Sequence, residues 1–97
     1  MTDAEVAAFV AAATNYEGWL DSSIIGVDRN EGMAKLVIGA ADAAADQSVD
    51  GRVAAGAAAL TQVITEAGDI DKVPAGMIEG VTAAGLAAVA GLRAQQS

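Results

Sequence analysis

A core made from this chain has to be made mostly of small side chains, because 54% of its residues are hydrophobic while only 3% are aromatic. Alanine, valine, leucine and isoleucine fill an interior at native density only where backbones approach closely, without rings to hold them apart. Helices suit that requirement. Alanine is the strongest helix former, and the β-branched and aromatic runs that mark strands are short and isolated. A length of 97 residues supports one such core, so the chain reads as a single helical domain over residues 1–97.

Local signals divide that domain into four helices. Thr2 and Glu5 have the spacing of a capping box, in which the hydroxyl bonds the Glu5 backbone N–H and the carboxylate reaches back. Val6, Phe9, Ala13, Tyr16 and Leu20 then recur at three- and four-residue spacing, which predicts a first helix over residues 3–20. Residues 22–32 mix Ile24, Ile25 and Val27 with Gly26, Asp28, Asn30 and Gly32 and read as a loop. Met33, Leu36, Val37, Ala40 and Ala44 predict a second helix over 33–45, with Lys35 and Asp42 pointing away from the core. Ser48 or Asp50 caps a third helix over 51–67, whose seam is Val53, Ala57, Leu60 and Ile64 and whose stop is Gly68. Pro74 stands just ahead of a fourth helix over 75–95. The expected architecture is an all-α, compact four-helix bundle.

The fourth helix is apolar nearly all round. Ile78, Val81, Gly85, Ala88 and Leu92 form one seam, Met77, Leu86 and Val89 lie off it, and Glu79, Thr82 and Arg93 are its polar residues before the tail. Such a helix is either the centre of its own domain or is shared between its domain and another subunit. Gly80, Ala84, Ala88 and Gly91 form a small-residue stripe along it that admits another helix at close range, and Gly85 lies beside them. Trp19, off the first helix's seam, and the loop residues Ile24 and Ile25 are further candidates for a partner contact.

Chemistry is thinly represented. The chain has no His and no Cys, which removes the commonest general base, the strongest nucleophile and cysteine-ligated metals together. Asp46, Ser48, Asp50, Gly51 and Val53 match the first half of a calcium loop, but the ninth and twelfth positions fall on Ala54 and Ala57, which offer no side-chain oxygen. A helix-capping turn accounts for the same residues. No enzymatic activity and no cofactor are therefore expected. Thirteen Asp and Glu against five Lys and Arg give a formal charge of -8, which repels phosphate backbones and anionic headgroups. Neither nucleic acid nor a membrane is an expected partner. The uncharged run at residues 80–92 falls short of the roughly 20 residues a spanning helix needs, and Asp3 and Glu5 stand where a signal peptide would be basic. The expected location is the cytoplasm.

Two functional readings follow. In the first, the chain is a non-enzymatic interaction or assembly subunit, such as a small component of a larger symmetric particle, with the apolar C-terminal helix as interface and a homo-oligomer as its simplest form. In the second it is a small acidic regulator or inhibitor that presents Asp42, Asp46, Asp50, Asp69 and Asp71 to a basic protein surface.

Overall fold

In the computed structural model, which describes residues 1–16 and 30–96, the chain forms four α-helices: α1 (Asp3–Thr14), α2 (Asn30–Asp42), α3 (Val49–Glu66) and α4 (Met77–Gln96). A single turn of 3-10 helix, Ile70–Lys72, lies between α3 and α4. No strand occurs among the described residues. The sequence expectation of an all-α four-helix bundle is met.

Each helix end has a local chemical cause. Thr2 Oγ1 accepts from the Glu5 N–H at 3.1 Å and Glu5 Oε1 accepts from the Thr2 N–H at 2.9 Å, which completes the capping box that starts α1. The first helix stops at Thr14, well before residue 20. Asn15 is a poor helix former, and the Tyr16 N–H turns back to the Ala13 carbonyl in a tighter bond. The second helix is shifted to 30–42 and ends before Ala45 because the Gln47 side chain reaches the carbonyls of Ala41 and Ala44 at 2.9 and 2.7 Å. Ser48 is the cap of α3: its hydroxyl accepts from the Gly51 N–H at 3.1 Å, so the helix begins at Val49, two residues earlier than its periodicity suggested. At the other end Gly68, at φ +81°, is followed by bonds from Gly68 N–H to Thr65 and from Asp69 N–H to Ile64, the pair that defines a Schellman stop. Gly76 is also left-handed, at φ +82°, which holds the start of α4 back to Met77.

The helices form a ring in chain order. α1 packs on α2, α2 on α3, α3 on α4 and α4 back on α1, with α2 and α4 touching across the diagonal. Tyr16, just past the end of α1, lies over Gly80 near the start of α4, while Glu5 near the start of α1 meets Arg93 near the end of α4, so these two run antiparallel. Asp42 at the end of α2 and Arg52 at the start of α3 join the same pole, which gives an up-down-up-down bundle.

The core is aliphatic around one ring. Val6, Phe9 and Ala13 of α1 face Val37, Ile38 and Ala41 of α2, Ala57, Leu60 and Ile64 of α3, and Ile78, Val81, Leu86 and Val89 of α4. On α2 the buried face is rotated from the expected one: Ala34 and Ile38 are fully inside, Leu36 is 41% exposed and Ala40 is half-buried. Met33 and Val37 belong to both faces, and the neighbouring helices select the side that holds Ile38. Two glycines set the closeness of the ring. A Cβ on Gly85 would overlap the Phe9 ring, and one on Gly56 would stand 2.9 Å from Val37 Cγ1 and 3.0 Å from Thr82 Cγ2. The Thr82 hydroxyl is fully buried there with no hydrogen-bond partner.

Paired substitutions test this packing. Gly85→Ala drives a methyl into the Phe9 ring and should destabilise the fold by about 1–3 kcal/mol, whereas Gly91→Ala, in open space on the same helix, should stabilise it by up to about 1 kcal/mol. Thr82→Val keeps the shape and removes the orphaned hydroxyl, for an expected gain of about 1 kcal/mol. Urea midpoints read all three.

Candidate functional site

Among the described residues, a cluster of charges at one pole and an open groove between α3 and α4 stand apart from the apolar interior.

The cluster joins all four helices. Arg93 donates from Nε to Glu5 Oε2 at 2.7 Å and from Nη1 and Nη2 to the two Asp42 oxygens at 2.9 and 3.0 Å. Asp42 also pairs with Arg52 Nη2 at 2.9 Å, and Arg52 Nη1 reaches Gln47 Oε1 at 2.9 Å. Glu5 is thus both the closing half of a capping box and the buried partner of a guanidinium 88 positions away. The Arg93 guanidinium, then the Thr2 backbone N–H, hold the Glu5 carboxyl below its ordinary value. Arg93 does the same for Asp42, with Arg52 adding to it, and the two carboxylates in turn hold Arg93 firmly in its charged form. Every formal charge in the cluster is answered within the chain, which makes it a clasp between the four helices. Asp42, expected to point away from the core, does stay exposed, and at the surface it pairs with both Arg52 and Arg93. The available signal was Arg93 itself: a lone cation in residues 80–96 of an otherwise apolar helix calls for a specific partner.

The groove lies where α3 and α4 separate at the same pole. It encloses about 320 Å³ and is walled by Val49, Arg52 and Val53 of α3 and by Ala83, Leu86, Ala87 and Ala90 of α4. Val49, in the first turn of α3, stands at its mouth and is 78% exposed. No carboxylate lines it. The emptiness of acid extends further: residues 51–65 and 80–96 contain Arg52 and Arg93 but no Asp or Glu, in a chain whose formal charge is -8. Position by position the periodicity could not show this groove, because its walls come from two helices, at residues 49–53 and 83–90 of the chain.

The structure distributes the sequence-derived interface candidates among different roles. Gly80 and Gly85 lie beneath Tyr16 and Phe9, so the close approach they permit is used by α1 of the same chain. Ala84 and Ala88 are half-buried, and Gly91 is exposed with nothing within 4 Å of the position of a Cβ. Trp19, Ile24 and Ile25 lie outside the described residues. The half calcium loop is a capping turn: Asp46 Oδ1 accepts from the Ser48 N–H at 2.9 Å, and Asp46 sits where a Gly51 side chain would be. Among the described residues no group of three His, Cys, Asp or Glu comes together to hold a metal. The 20 residues of α4, at a mean hydropathy of 1.3, are long and apolar enough to cross a membrane, and in the bundle Ile78, Val81, Thr82, Gly85, Leu86 and Val89 are buried against its neighbours. Set against known proteins, the chain matches no protein-family model, no curated protein and no solved structure.

The clasp makes stability depend on pH in one direction. Glu5 and Asp42 bind protons less readily in the folded chain than in the unfolded one, so their contribution is complete above the ordinary carboxylate range, around pH 4 to 4.5, and is lost as the pH falls through their lowered values. Thermal melting between pH 7 and 3 should show a falling midpoint. In Arg93→Met, which removes the chief cause of both shifts, the midpoint should be lower at pH 7 and the deficit should shrink toward pH 3.

Proposed function

We propose that the chain is a non-enzymatic assembly subunit that associates with copies of itself through the face between α3 and α4. The observation that carries this reading is the coincidence of an open apolar groove with the two segments from which acid is missing. A chain of formal charge -8 repels its copies everywhere that carboxylates face outward, and attraction between copies prevails only where apolar surface is free of them. Groove walls of valine, leucine and alanine also suit close helix contact, which needs little side-chain ordering. The alternative of an acidic regulator draws less support: of its five named carboxylates, Asp42 is held by two arginines, Asp46 by Ser48 and Asp69 by Lys72.

Light scattering over a concentration series at two salt concentrations tests the reading. A mass that rises with protein concentration, and rises further with added salt as repulsion is screened, is the expected outcome. A mass of 9.5 kDa at every concentration and salt overturns it.

A further inference from the structure

Resting on that reading, we infer that the contact is a two-fold exchange in which Val49 of each copy enters the α3/α4 groove of the other. The partner copy thereby supplies the side chain that fills each groove.

Val49 is the starting point because it is the most exposed of the large hydrophobic side chains among the described residues, at 78%. Nothing local requires it there: Ser48 already caps the helix, and the first turn of a helix favours acidic or small polar residues. It lines a groove of about 320 Å³, room enough for a branched aliphatic side chain, whose other apolar walls are Val53, Leu86, Ala83, Ala87 and Ala90. A protruding knob beside a hole of matching size and polarity is self-complementary about a two-fold axis, and two-fold contacts of this kind are the commonest in homo-oligomers.

Charge supports a second copy as occupant. Arg52 is the charged residue on the groove wall, and Asp50 follows Val49 on the exposed first turn of α3. Asp50 forms no hydrogen bond or ion pair among the described residues. When Val49 enters a partner's groove it carries Asp50 toward that groove's Arg52, as a second carboxylate beside the Asp42 that Arg52 already holds, and symmetry repeats the contact. A basic peptide would meet Arg52 instead, with no carboxylate on the walls to receive it. Area is adequate as well. Helices of 18 and 20 residues side by side present a face about 27 Å long and 20 Å wide, roughly 550 Å² per copy, which doubled clears the ~1,000 Å² expected of a specific interface.

The absence of cysteine allows a clean test on the full chain. Val49→Cys chains are mixed with Ala87→Cys chains under mild oxidation, with Ala11→Cys, on the exposed side of α1, as the control partner. The expected result is a disulfide-linked mixed dimer of V49C with A87C, and none of V49C with A11C, since the bond forms only where Cα atoms come within about 7 Å. Separately, Val49→Asp should weaken self-association at least tenfold with helicity unchanged, because the side chain is exposed and outside the core. A multimer in which V49C and A87C do not link, or in which V49D associates as the parent does, overturns the Val49 exchange and leaves self-assembly standing. A monomer under all conditions overturns both.

Discussion

Phe9 can sit at the centre of this bundle because Gly85 has no side chain. It is the one phenylalanine of the chain and is fully buried, and the α4 backbone comes up against its ring where any Cβ would overlap it. The same solution recurs one layer away, where the α3 backbone at Gly56 touches Val37 of α2 and Thr82 of α4 together. An interior of alanine and valine reaches native density through such approaches, and their cost is the lower helix propensity of glycine. Two consequences follow for α4. Its near-uniform apolarity belongs first to its central place against α1, α3 and α2, and between Glu79 and the Gln95–Gln96 tail its exposed residues are alanines and Gly91, of which Ala83, Ala87 and Ala90 are small enough to leave a channel beside α3.

What could be read from the sequence was what depends on neighbours in the chain. The Thr2–Glu5 capping box, the Ser48 cap and the Gly68 stop each involve residues two to five positions apart, and each is present. The seams of α1 and α3 were legible for the same reason. The face of α2 was not, because Met33 and Val37 fit a stripe through Leu36 and Ala40 as well as one through Ala34 and Ile38, and only the surrounding helices choose. Of the interface candidates, Gly80 and Gly85 lie against Tyr16 and Phe9 of the same chain, a contact between distant segments that sequence spacing does not display. The charged clasp was out of reach for the same reason: Glu5 and Arg93 are 88 positions apart and meet only when the ring closes.

Charge is sorted on this molecule in a way composition does not disclose. Glu5 and Asp42 at the pole are neutralised there by Arg52 and Arg93, two of the five basic residues of the chain, and those two arginines are also the charges within the acid-free segments 51–65 and 80–96. The clasp and the groove are therefore neighbours at one end of the bundle and share Arg52, which faces Asp42 on one side and the groove on the other. Removal of Asp42 would loosen the pole and also change the charge on the groove wall.

Ring closure by α1 and α4 also bears on the order in which the fold is acquired. α2 and α3 lie next to each other in sequence, separated by residues 43–48, and their pairing closes a short loop, whereas α1 finds α4 only across nearly the whole chain. Because long loops close late, the hairpin of α2 and α3 is the natural nucleus, and α3 then receives α4. During synthesis α1 precedes α4, so Phe9 is made well before the Gly85 backbone it packs against, while α2 is already there to cover part of α1. A helix that is otherwise mostly alanine is well suited to that delay, since apart from Val6, Phe9 and Val10 it offers little for another nascent chain to seize.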